Sequence, residues 1–193
     1  MKTILILKSL FICTIILYSC NKKDDDNQCA KTENYLEATF DGGTIEPQYL
    51  VGGGIGGYTL YATRNEENKA DWNITVLSEN NISFYLTILN IQETGTYQFE
   101  TASEDDLPPP PISYLKTYIF LDENVEGPLS YYFSIENTGS IEVIEYNEEV
   151  GILVGTFSCN LYNSFNPDIV KRISGEFNIN LSTLNIDEKP CWL

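Results

Sequence analysis

Leu153-Val154-Gly155-Thr156-Phe157-Ser158-Cys159-Asn160-Leu161 places Leu153, Phe157, Cys159 and Leu161 on one face of an extended chain and Thr156, Ser158 and Asn160 on the other. That period of two is the pattern of a strand with one covered and one wet side. Further along, Ile173-Ser174-Gly175-Glu176-Phe177-Asn178-Ile179-Asn180-Leu181 repeats Gly-x-Phe-x-x-x-Leu, again with its polar residues on one face. The connecting Asn163-Ser164-Phe165-Asn166-Pro167-Asp168 is rich in turn formers. The two segments are therefore expected to form an antiparallel hairpin with one hydrated face.

Outward from that hairpin the same alternation predicts strands at 35–40, 58–63, 72–77, 82–91, 95–100, 113–121, 131–136 and 140–146, bounded by Gly, Asn, Asp and Pro. No segment shows helical periodicity. Many short strands separated by turn signals imply an all-β fold, an antiparallel β-sandwich, with an open or closed β-barrel as the alternative. Segment 113–121 is apolar on both faces, with Leu115, Ile119 and Leu121 on one and Tyr114, Tyr118 and Phe120 on the other. It reads as a central strand covered on both sides, or as one whose outer face is a binding surface. Ser103-Glu104-Asp105-Asp106-Leu107-Pro108-Pro109-Pro110-Pro111 before it reads as an exposed acidic loop in polyproline geometry.

The chain starts with Met1-Lys2 and an apolar run from Ile4 to Tyr18 broken by Lys8, Ser9 and Thr14. The run is shorter than the roughly 20 apolar residues of a membrane span and reads as a signal peptide, residues 1–19. Leu17-Tyr18-Ser19-Cys20 resembles the bacterial lipobox, which implies lipidation of Cys20 and a membrane held through that anchor. Residues 20–28 then form the lipidated cysteine and a flexible acidic tether, without apolar side chains to offset ordering entropy. Residues 29–193 are expected to be a single domain.

Loss of Lys2 and Lys8 with the leader leaves 9 basic against 28 acidic residues, a net charge of −19 in place of −17. Such a charge argues against nucleic acid as a partner, because phosphate binding depends on cationic neutralisation. Lys22-Lys23-Asp24-Asp25-Asp26 after Cys20 resembles the acidic export signal of Bacteroidota surface lipoproteins. It implies an outer-membrane, cell-surface address, with the periplasmic face as the alternative.

The order Ala38-Thr39-Phe40-Asp41-Gly42, Gly95-Thr96-Tyr97, Gly139-Ser140-Ile141-Glu142-Val143-Ile144, Gly155-Thr156-Phe157-Ser158 and Ile173-Ser174-Gly175-Glu176-Phe177 is similar to Bacteroidota cell-envelope lipoproteins whose domains have no assigned activity. The resemblance implies a β-rich envelope domain and carries no catalytic residues.

Cys29, Cys159 and Cys191 follow the lipidated cysteine, in a compartment where disulfides form. Cys159 points to the apolar face, whereas Cys29 and Cys191 lie near the two ends of the domain, so a Cys29–Cys191 bridge is expected. The other two pairings remain open.

The chain contains no histidine, which removes Ser-His-Asp and Cys-His nucleophile systems and imidazole metal sites. Gly52-Gly53-Gly54-Ile55-Gly56-Gly57 has the letters of a dinucleotide fingerprint, but strand-like Tyr58-Thr59-Leu60-Tyr61 follows where a helix must hold the pyrophosphate. Asp122-Glu123-Asn124-Val125-Glu126-Gly127 begins like a calcium loop, yet Phe133 stands where the bidentate Glu belongs. No metal or cofactor is expected. Glu142 and Glu145 beside a strand, and Asp122 and Glu126 in a turn, are the candidates for carboxylate-pair chemistry. Trp72 and Trp192 are the aromatics to examine for a glycan platform, although Trp72 alternates with Ile74 and Val76 as a core residue would. The expectation is a membrane-anchored, non-catalytic module that binds glycan or an envelope protein. The alternatives are a carboxylate-dependent glycan hydrolase or lyase, and a purely structural lipoprotein.

Overall fold

In a computed structural model the described residues are 31–51, 57–79, 82–103, 113–119 and 130–193, with the backbone alone described for 114–119. The expected signal peptide, Cys20, the tether and Cys29 lie outside them. The described residues form thirteen strands and no helix, and all strand pairs are antiparallel. They are β1 (Tyr35–Phe40), β2 (Gly43–Ile45), β3 (Tyr49–Leu50), β4 (Gly57–Tyr58), β5 (Leu60–Arg64), β6 (Trp72–Ser78), β7 (Ile82–Ile88), β8 (Gly95–Gln98), β9 (Tyr114–Ile119), β10 (Ser130–Ser134), β11 (Ser140–Asn147), β12 (Ile152–Asn163) and β13 (Val170–Asn180).

The expected hairpin is the spine of the fold. β13 pairs with β12 along its length, from Ile152 opposite Asn180 to Tyr162 opposite Val170. The antiparallel register turns the sequence repeat into reciprocal packing, with Gly155 opposite Phe177 and Phe157 opposite Gly175. Each ring lies over a position that has no side chain, and the two rings stack at 6.3 Å. The turn is closed by Asn163, whose Oδ1 accepts from the backbone N–H of Phe165 and Asn166 at 2.9 and 3.0 Å.

The other edge of β12 is divided between two strands. β11 pairs with Ile152–Ser158 and β10 with Leu161–Asn163. Between them the 135–139 turn stays on the same edge, Ile135 N–H donating to Asn160 O (3.1 Å) and Asn160 N–H to Thr138 Oγ1 (3.0 Å). Gly139 passes so close to the Ser158 carbonyl that any side chain there would collide with it. The division makes two layers out of one hydrogen-bonded path, β8-β11-β12-β13-β1-β2 and β10-β9-β7-β6-β5. The arrangement is an antiparallel sandwich and does not close into a barrel.

The layers meet through their apolar faces. Phe157 of β12 lies 5.4 Å from Phe84 of β7, and Phe40 of β1 meets Tyr132 of β10 edge-on at 5.1 Å. Trp72, Ile74, Val76, Leu86 and Ile88 complete one side, and Leu36, Ile45, Leu153, Ile173 and Ile179 the other, all fully buried. Burying a large apolar side chain contributes about 1.5–3 kcal/mol, so this seam is the main source of stability. Trp72 is therefore a core residue, as its alternation with Ile74 and Val76 suggests.

Several details differ from the sequence expectation. The strand expected over 82–91 stops at Ile88, because Asn90 takes φ +56° and turns the chain. The one expected over 95–100 stops at Gln98, after which Glu100 and Ala102 N–H turn to Ser113 and Ser134 carbonyls at 3.0 and 3.2 Å. β9 lies between β7 and β10, which makes it central within its sheet. The side chains that would show whether both its faces are covered lie outside the described residues, as do 104–112.

The chain start is stitched to the far end of β13. Asn34, at φ +54°, accepts from Asn180 N–H through Oδ1 (2.8 Å) and donates to Thr183 Oγ1 (2.9 Å). Its carbonyl accepts from the Tyr58 hydroxyl at 2.8 Å.

Candidate functional site

With the apolar faces of β1, β11, β12 and β13 turned inward, their polar positions share the outer surface of one layer. Strand register aligns those positions into rows across the sheet. Ser140 of β11 stands opposite Ser158 of β12, which stands opposite Ser174 of β13, which stands opposite Thr39 of β1. The Gln98 amide on β8 and the Thr44 hydroxyl on β2 stand at the two ends of this row. Two residues along, Glu142, Thr156, Glu176 and Glu37 form a second row. With strands about 4.8 Å apart, four strands set each row at about 14 Å from end to end, and the rows lie roughly 6.7 Å apart.

These two rows line an open groove of about 740 Å³. Arg172 borders it on the side of the hydroxyl row, its Nη2 donating to Ser158 Oγ at 3.2 Å. On the carboxylate side, Lys31 Nζ pairs with Glu37 at 2.7 Å, and the Glu176 charge acts on the Tyr35 hydroxyl. Burial, and then the Glu176 charge, raise the Tyr35 phenol above its usual range. Lys31 Nζ also lies over the Tyr35 and Trp192 rings at 4.9 and 5.1 Å. Beyond Asn160 the same outer face of β12 passes under residues 100–102, where Tyr162 donates to Ala102 O at 2.7 Å and packs on Phe133.

Chemically, the groove offers hydroxyls that both donate and accept, carboxylates that only accept, and one guanidinium. Among the described residues that line it the one aromatic, Phe157, is 3 % exposed and faces the core, so it provides no stacking platform. Glu37 and Glu176 are direct cross-strand neighbours on one face rather than opposing walls of a cleft. No group of three or more Cys, Asp or Glu side chains among the described residues could hold a metal.

Of the sequence candidates, Glu142 lies in the groove. Glu145 does not: a bulge between Val143 and Glu145 shifts it to the row of Val154 and leaves Ile144 unpaired and exposed. Asp122, Glu126 and the calcium-like loop lie outside the described residues. So do residues 52–56 of the glycine run, while Gly57 starts β4. Glu37, Glu176 and Arg172 are the groove residues that sequence reading missed. Their common signal is an outward position in alternating strands, and the β1–β13 pairing that joins them connects residues far apart in the chain.

A second cavity of about 510 Å³ lies under the C-terminal segment, with buried Tyr58 and half-buried Trp192 meeting edge-on at 5.9 Å. Cys191, beside it, is disulfide-bonded. Cys159 is a free thiol in the core, and burial pushes it up to about 12.

No protein-family model, curated protein or solved structure matches this chain, so a functional reading rests on the groove and on the sequence signals around it.

Proposed function

We propose that this chain is a lipid-anchored envelope lipoprotein whose sandwich is a non-catalytic binding module for glycan. The observation that carries the reading is the pair of polar rows crossing β11, β12, β13 and β1 in one open groove. Serine and threonine side chains are short and lose little rotamer freedom on binding. A row of them repeating at the strand spacing suits a polymer that presents hydroxyl groups at regular intervals. The lipobox-like Leu17-Tyr18-Ser19-Cys20 and the following Lys22–Asp26 tract support a lipid anchor on Cys20 and display on the outer membrane, at the cell surface or on its periplasmic face. A Cys29–Cys191 bridge would close the domain at the point where the tether leaves it.

A carboxylate-dependent hydrolase is the less favoured reading, because Glu37 is paired with Lys31, and Glu37 and Glu176 are cross-strand neighbours on one face that do not oppose each other across a bond-sized gap. A protein partner on the same face is the other alternative.

The test is thermal unfolding of the full chain in detergent across a panel of polysaccharides. A ligand at a hundred times its dissociation constant adds about 2.7 kcal/mol. At this chain length that moves the midpoint by roughly 5–11 °C. A flat panel would overturn the glycan reading. Product analysis of a sample that shifts would show cleavage if the domain were an enzyme. The anchor is tested separately, since Cys20→Ala should lose incorporation of labelled fatty acid.

A further inference from the structure

We infer that the groove takes an uncharged glycan chain laid across the strands, one sugar ring per strand, and that its carboxylate row excludes acidic polysaccharides. The inference rests on the glycan reading of the same groove and adds direction and class to it.

Direction follows from register. Positions aligned perpendicular to the strands are largely alike: Ser140, Ser158, Ser174 and Thr39 all carry hydroxyls in one row, and Glu142, Glu176 and Glu37 carry carboxylates in the other, with Thr156 between Glu142 and Glu176. Along a strand the character changes within two residues, as from Arg172 through Ser174 to Glu176 on β13. A chain running along a strand would meet a guanidinium, a hydroxyl and a carboxylate in turn. A chain running across the strands meets a hydroxyl at every step of about 4.8 Å in the first row, and a carboxylate at every step but that of Thr156 in the second. That step is close to the advance of one pyranose ring in an extended glycan.

Class follows from the donor and acceptor inventory. Glu37, Glu142 and Glu176 are acceptors only, so the ligand edge that faces them must supply O–H or N–H donors. A neutral sugar does so with its hydroxyls, and hydrogen bonds to ionised acceptors are the stronger kind. Uronate or sulfate groups would place acceptor against acceptor beside a protein of net charge −17 before any processing. Arg172 borders the opposite side of the groove and already donates to Ser158, so it does not neutralise the carboxylate row. Lys31 is the cation on that row, and it is shared among Glu37, Tyr35 and Trp192.

The experiment is affinity electrophoresis of the full chain in detergent through gels holding a mixed-linkage β-glucan, a galactomannan, an arabinoxylan, polygalacturonate or chondroitin sulfate. Retention by at least one uncharged polymer and by neither acidic one is expected. Ser158→Leu and Ser174→Leu should each weaken that retention at least tenfold, with an unchanged thermal midpoint showing that the fold is intact. The triple variant Glu37→Gln, Glu142→Gln, Glu176→Gln keeps amide acceptors, removes the charge and should gain retention by polygalacturonate. Retention of the wild type by the acidic polymers alone would overturn the inference and leave glycan binding standing. Retention by an uncharged polymer that neither serine variant disturbs would place the site elsewhere and also overturn it. Retention by none would remove both.

Discussion

Replacing Gly175 by alanine tests the packing that the hairpin repeat creates. An added Cβ would press on the Glu37 carbonyl oxygen and stand 2.7 Å from Ala38 Cβ and 2.8 Å from Phe157 Cζ. Carbon atoms pack best at about 3.5–4.0 Å, so two contacts fall short by about 1 Å. The Phe157 ring has little room to yield, because Phe84 and Phe177 hold it at 5.4 and 6.3 Å. Overpacking of this kind costs about 1–3 kcal/mol. At roughly 2–4 °C per kcal/mol the thermal midpoint should fall by about 2–12 °C. Urea unfolding of Gly175→Ala, Phe157→Leu and the double variant forms a cycle that isolates the ring contact. The double variant should be more stable than the two single losses added together, by at least about 0.5 kcal/mol, because leucine withdraws the ring atom nearest the new Cβ. The rescue should be partial, since the Glu37 carbonyl remains. Gly42→Ala is the contrast: no atom lies within 4 Å of the added Cβ, but φ is +79°, so it should lose about 1–2 kcal/mol through the backbone alone, with no coupling to Phe157. A stability of Gly175→Ala within about 0.5 kcal/mol of the wild type would refute the reasoning, because substitutions without a specific structural role fall in that range. So would strict additivity.

Three further outcomes are expected. Burial holds the Cys159 thiol protonated up to about 12 against an ordinary 9.0, so its contribution to stability is complete below pH 9 and is lost as pH rises toward 12; urea midpoints at pH 7.5 and 10.5 should fall more for the wild type than for Cys159→Val, and equal falls would contradict this. Since Cys191 is disulfide-bonded, Cys191→Ser should lose about 2–5 kcal/mol. Peptide mapping without reductant should join Cys191 to Cys29, and a linked peptide lacking Cys29 would sink that pairing. Glu176→Gln removes the main charge that raises Tyr35, so tyrosine-resolved NMR titration should show Tyr35 ionising at lower pH than in the wild type, and no movement would mean that burial alone sets it.

The hairpin from Ile152 to Asn180 was legible in sequence because its evidence is local: period-two alternation, a repeated Gly-x-Phe, and a turn rich in Asn and Pro. β1 was legible for the same reason, and the structure places it over the expected residues, Tyr35–Phe40. The short β2 and β3 were not, since two or three residues carry too little pattern to register a period. Trp72 was legible as core, and Glu142 as an outward carboxylate. The partners of Glu142 were not, because alternation gives the face of a residue and says nothing of which strand lies alongside.

By itself, then, the sequence determined the fold class, the inward and outward faces of the two hairpin strands, the core position of Trp72, and the lack of any imidazole, each a property of residue type and local period. Only the tertiary structure decided that β12 is shared between two layers and that β1 lies beside β13. It also brought Glu37, Glu142, Glu176 and Arg172 onto one groove. The physical reason is that strand pairing is a long-range choice, settled by how the apolar faces of Phe40, Phe84, Phe157 and Phe177 pack together. The polar rows are the outward consequence of that packing, with their spacing set by the backbone hydrogen-bond ladder.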